Sequence, residues 1–236
     1  MKIAIVPLAL AVLSAIVLAA SGFGARYGVW DWRFGFTLVR ASLYMGVATG
    51  VLALIALVVP RIRAGHVGGL LLALVLGAGV ACFPLYWMQM ARAIPSINDI
   101  TTDTENPPTF VAVIPLRAGV PVPATYPGSE TAAKQHSGYP DIRPLELALP
   151  PAAAFARALD VAKSSGWEIV AADAAAGRIE ATATTPWFGF HDDVVARITS
   201  TATGSRVDIR SVSRVGKGDL GANAKRIRAY LAKLAG

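Results

Sequence analysis

The chain has 236 residues, of which 54% are hydrophobic and only 16% are charged, and its formal net charge is +7. Soluble domains are nearer one quarter charged, so this composition excludes an ordinary soluble protein. Residues 1–94 hold seven basic residues and one acidic residue, whereas residues 95–236 hold fifteen and fourteen; because most of the basic excess flanks apolar segments, it does not indicate a nucleic-acid-binding protein.

Three long apolar segments occupy the amino-terminal part of the chain. Residues 3–25, 41–60 and 64–91 contain no Asp, Glu, Lys or Arg, and a helix needs about 20 apolar residues to cross the hydrocarbon core of a bilayer. We therefore predict that residues 1–94 form a three-span transmembrane anchor. No acidic or basic residue lies in the middle of a span, which favours an anchor over a transport path. A cleaved signal peptide is the alternative for the first span.

Residues 95–143 are rich in proline and are predicted to form an irregular arm. Within this arm, residues 110–116 are interpreted as a strand. Residues 129–136 are interpreted as a short helix, with Ser129 as its N-cap because a serine side chain can accept a hydrogen bond from the first helical turn.

Residues 144–236 show clear periodicity and are predicted to form an α+β soluble domain. Alternating apolar residues predict strands, and apolar residues at helical spacing predict two helices, in the order β-α-β-β-β-β-α. Strands with one polar side favour an antiparallel sheet, for which we predict the order 1-5-4-3-2. Both helices would cover one face and give a two-layer sandwich. The second face would be hydrated or would bind a partner, and its predicted residues are Glu180, Thr182, Arg197, Arg206, Asp208 and Arg210.

Several short motifs in the second part of the chain occur in an order that is typical of one family. They are residues 97–103 (INDITTD), 106–110 (NPPTF), 139–144 (YPDIRP), 185–190 (TPWFGF), 208–214 (DIRSVSR) and 216–223 (GKGDLGAN). Over residues 95–236 the chain therefore resembles the family known as domain of unknown function 1499, in a membrane-anchored bacterial form. The resemblance implies a few amino-terminal spans, and it implies no reaction.

The first candidate site is an anion site near the start of the last predicted helix. Helix amino termini bind anions through their free N–H groups, and the segment before Asp219 is basic. The candidate residues are Arg210, Arg214, Lys217, Asn223 and Arg226. In the alternative interpretation, Asp219 caps the helix and the arginines pair with acidic residues elsewhere.

The second candidate site is an aromatic and acidic segment that contains Trp187, Phe190, His191 and Asp192. With His191 as a base, such a segment would suit acid–base chemistry. The alternative is a connection between strands whose aromatic rings cover the end of the sheet or lie against the membrane. We predict no metal site, because the acidic residues at 99, 103 and 105 lack calcium-loop spacing, and no catalytic residue, because no nucleophile motif occurs.

The absence of a catalytic motif favours a non-enzymatic binding or scaffold domain of the cell envelope. The alternatives are a carrier of a lipid or small anionic ligand, and an enzyme that acts on an anionic substrate. The short basic loop with Arg61 and Arg63 is predicted to face the cytoplasm. The domain would then lie on the periplasmic side of the bacterial inner (plasma) membrane. The predicted partners are the lipid bilayer and an envelope protein or lipid, with no cofactor and no nucleic acid.

Overall fold

The computed structural model of the protein describes residues 2–236, and the side chains of residues 4–236. Met1, which belongs to the predicted anchor, lies outside the described residues. The chain divides into two compact units. The first comprises the chain up to Arg92 together with Pro186–Gly189, and the second comprises Ala93–Thr185 and Phe190–Gly236.

The first unit consists mainly of long apolar helices. They are α1 (Lys2–Arg26), α2 (Trp32–Val58), the short α3 (Pro60–Arg63) and α4 (Val67–Ala93). In α1, α2 and α4, apolar segments of 23, 27 and 27 residues are long and apolar enough to cross a membrane, as the sequence predicts. Many of their outward side chains are aliphatic, which suits a hydrocarbon surrounding.

Small residues allow α2 and α4 to approach each other closely. A Cβ atom on Gly46 would stand 2.7 Å from the carbonyl oxygen of Gly77, and one on Gly77 would stand 2.9 Å from that of Gly46. Ala11, Ala53 and Ala73 are fully buried at a second point where helices pack. Small residues commonly mediate helix association in membranes. Lipid tails are as apolar as large side chains, so helices gain stability mainly by close backbone packing.

Pro186–Gly189 adds two aromatic side chains to this unit. The indole Nε1 of Trp187 donates a hydrogen bond to the carbonyl oxygen of Ala19 at 3.1 Å, and its ring meets the ring of Phe83 with centroids 5.5 Å apart. The ring of Phe188 lies 5.0 Å from that of Phe36.

The second unit is built on a six-stranded antiparallel sheet. Its elements are β1 (Asp99–Thr101), a 3-10 turn (Pro115–Arg117), α5 (Ser129–Gly138), β2 (Leu145–Leu147), α6 (Pro151–Ser164), β3 (Glu168–Asp173), β4 (Arg178–Thr184), β5 (His191–Thr201), β6 (Gly204–Ser213) and α7 (Ala222–Ala235). The strand order is β1-β6-β5-β4-β3, and β2 also pairs with β6. The predicted α+β class with antiparallel strands is confirmed, but the topology differs in detail because β1 shares the β6 edge with β2.

One face of the sheet carries the main apolar core. Helices α6 and α7 cover it with side chains that include Phe155, Ile227 and Tyr230, which pack against Ile179 and Ile209 of the sheet. Trp167, just before β3, stacks on Tyr230 with ring centroids 5.0 Å apart. The stripe of α7 therefore faces the sheet as its sequence period requires.

The other face of the sheet is covered by the arm, so it is not the open face, hydrated or available to a partner, that was predicted for a two-layer sandwich. Phe110 and Val113 form a second small core with Val195 and Val212. Of the residues predicted to be on the open face, Glu180, Thr182, Asp208 and Arg210 are buried. The predicted strand over 110–116 is a turn followed by the 3-10 turn. The side chain of Glu180 takes the N–H groups that such a strand would give to a neighbour.

Two helix boundaries also differ from prediction. Helix α5 has Gly128 as its N-cap, with φ +90°, in place of the predicted Ser129. The sequence predicts that the last helix starts at Asp219, but α7 begins at Ala222. The Asp219 carboxylate instead accepts hydrogen bonds from the backbone N–H of Gly221 (2.9 Å) and Asn223 (2.6 Å).

Candidate functional site

The arm face of the sheet contains a buried ion pair between Asp99 and Arg210. Residue alternation in β6 puts Arg210 on this face, where β1 places Asp99 beside it. Two nitrogens of the guanidinium bond the two carboxylate oxygens at 2.9 and 2.7 Å, and Arg210 is only 2% exposed. The same guanidinium donates to the carbonyl oxygens of Pro108 (3.3 Å) and Ala124 (2.8 Å). This arginine therefore ties two parts of the arm to the sheet.

Aromatic rings of the arm complete the surroundings of this pair. The Arg210 guanidinium lies 5.1 Å from the ring centroid of Phe110 and 5.4 Å from that of Tyr126, within the range of cation–π attraction. Burial raises the pKa of Asp99, and Arg210 opposes that shift. Burial and the nearby Asp99 charge raise the pKa of Tyr126 to about 12.

A second buried carboxylate, Asp193 of β5, is held by three side chains. Arg117 of the arm donates at 2.5 Å, Arg214 donates twice, at 3.0 and 2.8 Å, and the Thr182 hydroxyl donates at 2.8 Å. Burial acts to raise the pKa of Asp193, but the hydrogen bonds from Arg214, Arg117 and Thr182 outweigh it and the pKa lies below its ordinary value. These hydrogen bonds therefore favour the ionised form of Asp193, which accepts hydrogen bonds and does not donate a proton.

Further carboxylates fix the arm to the same face. Glu180 accepts hydrogen bonds from the backbone N–H groups of Val111 and Val113, each at 3.0 Å. Near the other end of β6, two carboxylates and two guanidiniums alternate in a group at 3.0–3.2 Å, and this group consists of Asp103, Asp208, Arg197 and Arg206. Bonds of this kind satisfy buried charges that would otherwise be very unfavourable.

A separate polar group lies between α7 and the sheet. Its centre is Asn223, whose Oδ1 accepts from the Ser211 hydroxyl (2.6 Å) and from Arg226 (2.5 Å), while its Nδ2 donates to Ser213 (3.0 Å) and to a backbone carbonyl. Arg226 also donates to Asp192 at 2.5 Å.

The structure distributes the five residues of the predicted anion site over three places. Arg210 and Arg214 lie on the arm face, and Asn223 and Arg226 lie between α7 and the sheet. Lys217 is exposed in the connection between β6 and α7. The N–H groups at the start of α7 are engaged by Asp219, whose pKa is raised by burial. The four engaged side chains therefore act on carboxylates and polar groups of the protein itself.

The aromatic and acidic candidate is also divided. Trp187 belongs to the helical unit, and the backbone N–H of Phe190 donates to the Thr185 hydroxyl at 2.8 Å. His191 is exposed at the start of β5, 3.1 Å from the Thr184 hydroxyl, whereas Asp192 is buried beside Arg226. Among residues 2–236, no group of three or more His, Cys, Asp or Glu side chains is placed to hold a metal ion.

Two shallow pockets lie at the edge of the arm. One, of about 120 Å³, is bordered by Asn106, Pro107, Arg178 and Arg197. The other, of about 320 Å³, is bordered by residues of the arm and α5 that include His136. Neither pocket borders α7, which is where the predicted anion site would have needed one.

Sequence reasoning missed the acidic partners and one surface. The partners Asp99 and Asp193 are distant in sequence from their arginines, and no local pattern pairs them. The surface consists of Val111, Ile114 and Leu116, which we call the aliphatic triad; all three are exposed. Its sequence signal is the stretch 106–128, which contains one charged residue.

Comparison with known proteins gives one family. A family model described as "Protein of unknown function (DUF1499)" matches residues 99–234, more than half of the chain. This range covers most of the second unit, including β1 and nearly all of the arm and of α7. No curated protein matches the chain.

Proposed function

The chain belongs to the DUF1499 family of proteins of unknown function, and from that premise we propose that it is a membrane-anchored binding or scaffold domain of the cell envelope, without catalytic chemistry. The observation that carries this proposal is the pairing of charged side chains. Asp99, Asp192 and Asp193 each bond an arginine at 2.5–3.0 Å. A general base or nucleophile must contact a substrate, whereas these buried aspartates are bonded to arginines of the protein itself.

The helical unit supports the anchoring part of the proposal. Three helices of sufficient length and apolar character precede the family domain. We infer that residues 1–94 are the anchor, residues 95–143 the arm and residues 144–236 the α+β domain. The loop with Arg61 and Arg63 favours a periplasmic position for the domain in the bacterial inner membrane.

The alternatives make different demands on the site. A carrier of lipid or of a small anionic ligand needs a cavity of several hundred cubic ångströms with polar groups that point into it. An enzyme that acts on an anionic substrate needs its basic residues available to the substrate. Arg210, Arg214 and Arg226 each pair with a carboxylate, so they are not available to an anionic substrate or cargo. This pairing disfavours the enzyme, and it disfavours a carrier that would use these arginines to bind its ligand.

The decisive experiment compares function with protein amount in cells that lack the gene. Two full-length variants are compared. Arg214→Lys keeps a positive charge beside Asp193, and Lys217→Ala leaves that ion pair unchanged. If the domain only binds a partner, we expect each variant to restore the wild-type phenotype in proportion to its folded amount. Loss of all function at the wild-type amount of folded protein, without loss of any bound partner, would show that these basic groups act on a substrate, and it would overturn the proposal.

A companion measurement addresses partners. The full-length protein is extracted in mild detergent, and the proteins and lipids that remain bound are identified and quantified. A stoichiometric partner that stays bound to the Lys217→Ala variant supports a binding domain. Turnover of a small anionic compound by the purified protein would contradict it.

A further inference from the structure

The aliphatic triad is a concentrated apolar surface on the second unit. Val111, Ile114 and Leu116 are 54%, 46% and 52% exposed, and they lie within six residues of one another. The one charged residue between Glu105 and Glu130 is Arg117. Its side chain is only 4% exposed, because it points inward to Asp193. The outer surface of this stretch therefore carries no charged side chain.

The backbone holds the triad in a fixed conformation. Glu180 binds the N–H groups on either side of Ala112, and the N–H of Leu116 donates to the carbonyl oxygen of Val113 at 3.0 Å. Val113 is fully buried among residues of the sheet. The segment thus directs Val113 inward and the larger Ile114 and Leu116 outward. A preformed apolar surface loses little conformational entropy when it binds.

We propose that the aliphatic triad inserts into the interfacial layer of the lipid bilayer that holds the anchor. This inference rests on the membrane anchoring in the proposed function. Five residues, 94–98, join the end of α4 at Ala93 to β1. Six Cα–Cα steps span at most about 20 Å, so this short tether limits how far β1 can move from a bilayer that holds the anchor.

The chemistry of the triad also favours lipid over a protein partner. Protein interfaces usually surround their apolar centre with a polar rim, whereas the one charged side chain of the stretch 106–128, Arg117, points inward. Exposed aliphatic side chains with a basic residue beside them suit the boundary between headgroups and acyl chains, and Arg178, which pairs with Glu180 next to Val111, is 27% exposed. The β1 strand pairs with Val212, which lies in the same apolar cluster as Val113, so the support of the triad is close to the tether.

The test uses the full-length protein in vesicles of phosphatidylethanolamine and phosphatidylglycerol. The native Cys82 is replaced by Ala, and a polarity-sensitive fluorophore is attached to Leu116→Cys. The matched control is Ala156→Cys, an exposed position on α6, which covers the other face of the sheet. Quenching is measured with spin-labelled lipid and, separately, with iodide in water.

Insertion predicts that spin-labelled lipid quenches the fluorophore at 116 several-fold more than at 156, and that iodide gives the opposite order. An added Ile114→Asp substitution should lower the inserted population about tenfold, because it removes an aliphatic contact and adds a charge. Equal quenching at the two positions overturns the proposal. Protection of position 116 from both quenchers also overturns it, because a protein then covers the triad.

Extraction of the same vesicles with alkaline carbonate distinguishes failure of the anchor from failure of the triad to insert. Release of the protein would contradict the anchor, and with it the proposed function. Retention of the protein together with a water-exposed fluorophore at 116 would contradict only the insertion of the triad.

Discussion

Removal of the Arg210 side chain should destabilise the second unit strongly. In the Arg210→Ala variant, the Asp99 carboxylate remains buried without its two charge-assisted hydrogen bonds. Loss of one partner from a buried ion pair typically costs about 3–5 kcal/mol. The carbonyl oxygens of Pro108 and Ala124 lose a donor in addition. Since domains are stable by about 5–15 kcal/mol, much of the free energy of unfolding would disappear.

The assay is pulse proteolysis of the full-length protein in detergent micelles across a urea series, which reports the folded fraction of the second unit. The matched control is Arg228→Ala. Arg228 also makes a two-bond pair, with Asp141, but the two side chains are 44% and 54% exposed. Exposed pairs contribute about 0–1 kcal/mol. The double variant Asp99→Asn with Arg210→Met should recover part of the loss, because no charge is then buried alone.

The reasoning would be refuted if Arg210→Ala and Arg228→Ala changed the urea midpoint equally. It would also be refuted if the double variant lost as much stability as the single variants Asp99→Asn and Arg210→Met lose in sum. Either result would mean that water reaches Asp99 in the folded protein and that the arm does not close over this pair.

Three further predictions concern helix packing, pH and the polar group at α7. Gly46→Leu should lower the thermal stability of the helical unit in micelles, because a Cβ atom there would meet the Gly77 carbonyl oxygen at 2.7 Å. The pKa of Asp193 is lowered in the folded protein, so its stabilisation is complete above the unfolded value of about 3.9 and is lost as pH falls through the folded pKa. The stability advantage of the wild type over Asp193→Asn should therefore be constant from pH 7 to pH 5 and shrink below about pH 4 in urea titrations. Asn223→Ala should cost about 1–3 kcal/mol in the same titrations, because it removes the acceptor of the buried Ser211 hydroxyl and the donor to the buried Ser213 hydroxyl.

Each of these has an internal comparison. Gly79→Leu is matched to Gly46→Leu, because a Cβ atom at Gly79 meets nothing within 4 Å; equal effects would contradict the close approach of the helices. A wild-type advantage over Asp193→Asn that grows below pH 4 would show that the pKa shift has the opposite sign. Lys217→Ala should stay within about 0.5 kcal/mol of the wild type, and a loss equal to that of Asn223→Ala would argue against the hydrogen-bonded group.

The strongly periodic elements were predictable from the sequence. Alternation of apolar and polar residues predicted four strands after the first helix of the α+β domain, and the structure has β3, β4, β5 and β6 there. The apolar stripe around Ile227 predicted a final helix that packs on the sheet, which it does. These signals are local, because a strand or helix buries one side with a fixed period.

The covering of the second sheet face was not predictable in this way. A strand with charged residues on one side looks the same whether that side meets water or a proline-rich arm. The pairing of Asp99 with Arg210 depends on contacts 111 residues apart, and no period in the sequence links them. Similarly, β1 has only three residues, too few to show alternation, and it forms because β6 offers an unpaired edge.

The fixing of the arm by distant partners has a consequence for how the chain folds. Glu180 lies 69 residues after Val111, Asp193 lies 76 after Arg117, and Arg210 lies 111 after Asp99. During synthesis the arm leaves the ribosome long before β6 exists, so it must wait unstructured for its partners. Contacts of such sequence separation slow folding because large loops must close first. A shortened chain that starts at Pro144 would retain every strand from β2 onward, yet it would expose the Val195 and Val212 surface and unpaired charges, and aggregation would be its expected fate.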